Sequence, residues 1–221
     1  NSGGSACPQA AAKLHAQGAL PAEAIWRKAR HAAERRQPDA ARQAVAIVDA
    51  TAAAQIAPLF ANPQAHLDTA NLTTASGREL AVLAAARLAA QDPAAAAQWL
   101  QGPGAQALSA PQRDWLWASI GRQAALNLDA QAPAYFARVQ DLRLLDDEQL
   151  SWMARSALRL GQWAQVRRAI EAMPPIVQQE PVWAYWLARS LQNGQQRPAQ
   201  RPAQAHALLA RIASHHGFYE M

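Results

Sequence analysis

Apolar residues recur at three- and four-residue spacing along almost the whole chain, the pattern of one buried face on each of a series of helices. Gly18 ends a first helix running from Pro8 to Gln17, and Pro21 opens a second with Ile25, Trp26 and Ala29 inward. Pro38-Asp39 restarts the chain through Val45 and Val48, and a short helix with Ile56, Leu59 and Phe60 stops at Asn62-Pro63. Ser76 reads as an N-cap with Glu79 completing a capping box, ahead of Leu80, Leu83 and Leu88. Asp92-Pro93 starts the helix of Trp99 and Leu100, and Ser109 starts a long one with Trp115, Leu116, Ile120, Ala124 and Leu128 inward. Pro133 leads Tyr135, Phe136 and Val139. Asp146-Asp147-Glu148 caps the helix of Leu150, Met153, Ala154, Ala157 and Leu158, closed by Gly161. Trp163, Val166 and Ile170 form the return stripe. The last two stripes are Trp183, Trp186, Leu187, Leu191 up to Gly194, then Ala205, Leu208, Leu209, Ile212.

Two such helices joined by a turn cannot bury their stripes alone, so they stack on neighbours. Alanine dominates the hydrophobic half of the composition, and it favours helix over strand. The expected fold class is therefore all-α, a solenoid of stacked helix pairs. Gln149 to Pro174 carries the small and aromatic alternation of a tetratricopeptide repeat, although no strict period runs the length of the chain. Residues 1–7 are expected to be a loose terminus and 8–221 a single helical domain. A tandem duplication, Arg197 to Gln204, marks an exposed insert over about 195–204.

Charge changes this picture little. The net charge is +5, almost all of it arginine. The arginines are scattered, with no basic run interleaved with aromatics, so nucleic acid is not the expected partner. The lone Cys7 excludes an intrachain disulfide and a thiolate metal site. No apolar run is long enough to span a membrane. The start of the chain carries no signal segment, and Gly4-Ser5-Ala6 before Cys7 lacks the leucine of a lipoprotein site.

Chemistry is scarce. His215-His216 are adjacent and point to different faces, Gly102-Pro103-Gly104 is a turn rather than a phosphate loop, and Asp146-Asp147-Glu148 suits a helix N-terminus. No catalytic, cofactor-binding or metal-ligating residue is assigned, no cofactor is expected, and the substrate-binding residues stay open. The eight tryptophans read as core rings filling the gaps that alanine leaves. Trp117 is the exception: it falls off the main stripe and is the one expected to stack on a sugar.

Three motifs, in order, carry a resemblance: Trp152-x-x-Arg155-x-Ala157-Leu158-x-x-Gly161, then Tyr185-Trp186-x-Ala188-Arg189-x-Leu191, then Gly217-Phe218-Tyr219. Together with the segments around Gln37 and Asp92 they make most of 37–221 resemble the soluble lytic murein transglycosylases of Gram-negative bacteria. The resemblance implies a periplasmic, ring- or horseshoe-shaped α-superhelix, followed in the family by a linker and a lysozyme-like domain. That domain cleaves the MurNAc–GlcNAc β-1,4 bond of peptidoglycan with one glutamate and leaves a 1,6-anhydro-muramyl end. Its Glu-Ser pair with the following Gly-Leu-Met-Gln is absent here. Ala134-Tyr135 and Ala184-Tyr185 are followed by Phe136 and Trp186 instead of the family's asparagine. The chain alone is thus expected to be inactive, with peptidoglycan glycan strands and other cell-wall proteins as partners. Two rival readings remain: a stand-alone repeat scaffold that binds proteins, and a basic helical binder of nucleic acid.

Overall fold

Proline and glycine punctuation sets most of the helix boundaries. The computed structural model describes residues 6–193 and 201–212, and these form fifteen α-helices with no strand among them. The chain divides into two compact units, Asn1–Ser119 and Ile120–Met221.

The first unit carries α1 (Ala6–Ala16), α2 (Ala22–Glu34), α3 (Pro38–Val48), α4 (Ala50–Ala54), α5 (Ile56–Ala61), α6 (Pro63–Asp68), α7 (Ala75–Ala89) and α8 (Pro93–Gln101). The start of α9 (Ala110–Leu126) completes it. Helix α7 is buried on every side from Glu79 to Ala89. It packs against α2, α4, α5, α6 and α8, so it is the hub of this unit. Alanine at five of the six positions from Ala81 to Ala89 that are neither leucine nor valine lets those neighbours approach. A helix that is apolar all round belongs in a core, and that is where α7 lies.

The second unit continues with α10 (Ala132–Phe136), α11 (Asp147–Arg159), α12 (Trp163–Glu171), α13 (Pro175–Gln178), α14 (Pro181–Asn193) and α15 (Arg201–Ile212). Here α11 packs on α12, α12 on α14, and α14 on α15. Leu187, Leu208 and Leu209 close over Ala188, Leu191 and Ala205. The all-α expectation of stacked helix pairs holds in both units.

Several local expectations are corrected. Ser76 is not the cap of α7: Thr74 is, with its side chain accepting from the Gly77 amide. Glu79 is not half of a capping box but a buried ion-pair partner. Trp117 does not face solvent; it is only 7 % exposed, within a stretch of α9, residues 115–121, that is buried throughout. Leu128 does the reverse: it is 63 % exposed and ends the helix in a left-handed turn. The turn at Gly102 passes into a 3-10 helix, Pro103–Ala107. The second copy of the duplication, Arg201 to Gln204, is the first turn of α15 and not loop. The remainder of the 195–204 insert that precedes Arg201, and Gly194, His215-His216 and Gly217-Phe218-Tyr219, lie outside the described residues.

Candidate functional site

A polar cavity of about 270 Å³ opens in the first unit, between the N-terminus of α7, the helix α4 and the loop after α6. Asp49, Gln55, His66, Thr69, Asn71 and Ser76 supply its polar wall, and Leu80 part of its apolar wall. Each wall element is fixed by a local rule. Asp49 caps α4 by accepting from the Ala52 amide at 2.9 Å. Asn71 accepts from both the amide and the hydroxyl of Thr73, at 3.1 and 2.6 Å, which tightens the loop. That loop passes so close to α7 that a Cβ on Gly77 would sit 1.8 Å from the Asn71 carbonyl oxygen. Only glycine admits the approach.

The electrostatics of the cavity supply no carboxyl that is protonated at neutral pH. Hydrogen bonds from the Ala52 amide and the Ser76 hydroxyl hold the Asp49 carboxyl below the usual carboxylate value. A general acid at neutral pH needs a carboxyl shifted the other way. Burial lowers His66, so its imidazole is neutral near pH 7. The result is a hydrogen-bonding wall of hydroxyls, amides, one imidazole and one carboxylate, suited to a polar ligand.

The carboxylate that sequence reasoning misjudged is Glu79. Arg30 donates to it through Nε at 3.1 Å and Nη2 at 2.6 Å, and Gln112 donates at 2.7 Å. The Arg30 and Glu79 side chains are 5 % and 7 % exposed. Arg30 also lies 5.9 Å from the Trp115 ring centre and pairs outward with Glu23 at 2.8 Å. With three donors fixed on its two oxygens, Glu79 ties α2, α7 and α9 together as a structural carboxylate. The signal that could have found it was an arginine and a glutamate each falling within an apolar stripe.

The tryptophans mostly obey the core reading: Trp26, Trp115 and Trp183 are buried, as is Trp117, while Trp99, Trp152, Trp163 and Trp186 are half-buried. Among the described residues, no group of three or more His, Cys, Asp or Glu side chains converges on a metal-sized site, and no helix is long and apolar enough to cross a membrane.

Comparison with solved structures decides the kinship of this fold. An inactive mutant of the lytic transglycosylase Slt from Pseudomonas aeruginosa matches 100 % of the chain at 25 % identity with a TM-score of 0.64. The 70 kDa soluble lytic transglycosylase of Escherichia coli matches 99 % of it at 23 % identity with a TM-score of 0.57. The chain shares its fold with soluble lytic transglycosylases. A structure of the 70 kDa enzyme in complex with bulgecin A matches equally well, at 23 % identity and TM-score 0.57. The chain spans only 36 % of the length of each of these structures. No family model matches the chain, and no curated protein matches it in sequence.

Proposed function

We propose that this chain is the non-catalytic helical region of a periplasmic lytic murein transglycosylase. In this reading it cradles peptidoglycan glycan strands, or proteins bound to them, beside a lysozyme-like domain that cuts the MurNAc–GlcNAc bond. The observation that carries the reading is the likeness along the whole chain to about a third of a lytic transglycosylase. The carboxylates support it: Glu79 is locked by Arg30 and Gln112, and Asp49 is held ionised. A net charge of +5 suits a wall polymer rich in carboxylates. Incubating the chain with purified sacculi tests the inactive assignment. No 1,6-anhydro-muropeptides should appear in the supernatant; their release above a buffer control would overturn it.

The second reading, a scaffold for proteins, draws on an apolar groove of about 490 Å³ beside α14 and α15. Leu187, Leu191, Ala207 and Leu208 line it, with Glu171 and Gln204 at the rim. If that reading were right, the chain would leave sacculi untouched and unbound.

A further inference from the structure

The first motif of the family resemblance has a geometric content that the cradle reading does not use. Trp152 and Arg155 stand one turn apart on α11, and the Arg155 guanidinium carbon lies 5.3 Å from the Trp152 ring centre. It lies 5.6 Å from the ring centre of Trp183, on α14. Trp183 is buried at 4 % exposure, Trp152 is half-buried, and Arg155 is exposed.

Two indoles within 6 Å hold the cation in place by their ring quadrupoles. They do nothing for its five N–H donors, which lie in the guanidinium plane. Five other arginines of this unit have carboxylate or carbonyl partners. Arg122, Arg143 and Arg167 pair with Glu148, Asp141 and Glu171. Arg159 donates to the Leu128 carbonyl and Arg168 to that of Val139. Arg155 has neither a carboxylate nor a carbonyl partner among the described residues. It is a planar donor fork, immobilised by aromatic contacts, charged, and open to solvent. Its chemical complement is a carboxylate, which accepts two parallel N–H bonds from such a fork. The partly exposed indole beside it, one face of which carries the guanidinium, adds apolar ring surface of the kind that packs on the C–H groups of a pyranose.

We propose that Trp152, Arg155 and Trp183 form a binding site for a carboxylate carried on a saccharide. Arg155 donates to the carboxylate, and Trp152 stacks on the ring that bears it. The proposal rests on the glycan-cradle reading and names one contact within it.

The test compares three probes, titrated against the full chain and read by tryptophan fluorescence. The disaccharide GlcNAc–MurNAc carries a lactyl carboxylate; chitobiose is the same scaffold without it; the peptide acetyl-Glu-Ala-Glu-amide carries carboxylates without a sugar. GlcNAc–MurNAc should bind about tenfold more tightly than chitobiose, the loss expected for one charge-assisted contact. Arg155→Gln should erase that preference while the protein melts within a few degrees of the unmodified chain. Arg155→Lys, which keeps the charge and loses the fork, should retain part of it. Should Arg155→Gln fail to fold, Arg155→Lys decides: a preference reduced about threefold supports the site, and an unchanged one overturns it. Equal affinity for the two disaccharides, no effect of Arg155→Gln, or tighter binding of the peptide would each overturn it. Sedimentation with sacculi separates the two levels. If the unmodified chain and both variants sediment alike, the cradle stands and this site falls; if the unmodified chain does not sediment, both fall.

Discussion

Gly77 and Gly121 measure how little room the alanine-rich core leaves around its helices. A Cβ on Gly77 would meet the Asn71 carbonyl oxygen at 1.8 Å, and one on Gly121 would meet the Phe136 ring at 2.8 Å. The first obstacle is backbone held by the Asn71–Thr73 turn, so it cannot swing aside. Gly77→Ala should cost about 3 kcal/mol in urea unfolding, near the upper end for overpacking. Gly121→Ala meets a side chain that can shift and should cost less. Glu79 is the other residue on which much depends. Glu79→Ala leaves the Arg30 charge buried and short of partners, and should cost about 3–5 kcal/mol. The double variant Arg30→Met/Glu79→Leu should recover most of that loss; a double variant no more stable than Glu79→Ala would mean the pair is not what the site needs. Glu79 was misread from the sequence because its spacing from Ser76 satisfies a capping rule equally well. Burial, which decides between the two roles, depends on α2 packing across α7 and is not a local property.

At the scale of elements, four helices end in one and the same way. In α1, α2, α9 and α11 a left-handed residue follows the last turn: Gly18, Arg36, Leu128 and Gly161, with φ between 58° and 74°. The next amide then bonds the carbonyl five residues back at 2.9 Å: Ala19 to Leu14, Gln37 to Ala32, Asp129 to Ala124, Gln162 to Ala157. This Schellman-type closure turns the chain sharply toward the next helix. Gly18 and Gly161 were legible as stops. Arg36 and Leu128 were not, because nothing in an arginine or a leucine announces a left-handed backbone; Leu128 even continued the apolar stripe of α9. Arg36→Gly and Leu128→Gly should each stabilise the protein by about 1 kcal/mol, by relieving the Cβ clash of a left-handed residue. A loss of stability in chemical denaturation would contradict the closure. The short helices α4 and α6 were poorly legible, since five or six residues hold less than two turns of pattern, whereas α5 was announced by Ile56, Leu59 and the Asn62-Pro63 stop. Their ends set the acid response of the first unit. Asp49, capping α4, and the half-buried His66 of α6 both have folded values below their ordinary ones of 3.8 and 6.5. In each case the unfolded chain takes up the proton first as pH falls, so stability drops with acidification. The His66 contribution is complete above its unfolded value and fades below about pH 6.5; that of Asp49 fades below about pH 4. His66→Gln should flatten the fall of the urea midpoint between pH 7 and 5 and leave the steeper acid limb in place.

At the scale of the whole molecule, fold class was the most legible feature. Helical spacing, alanine content and proline or glycine boundaries all point to stacked helix pairs, and agreement across those levels is what specifies a fold. The kinship was legible from the order of three motifs. A binding surface was not. An apolar stripe separates inside from outside on one helix, yet Trp117, off the stripe, lies inside, and Arg155 meets Trp183 of a different helix. The polar cavity beside Gly77 is likewise assembled from α4, α6, α7 and the loop before it, none of which carries a binding motif alone. Function at this scale reduces to whether the helical array meets the wall polymer. Co-sedimentation of the full 221-residue chain with purified sacculi at low and at moderate salt measures that directly. The account predicts that the chain pellets with sacculi at low salt, partly detaches as salt screens its positive charge, and releases no anhydro-muropeptide. A chain that stays in the supernatant at low salt would contradict it.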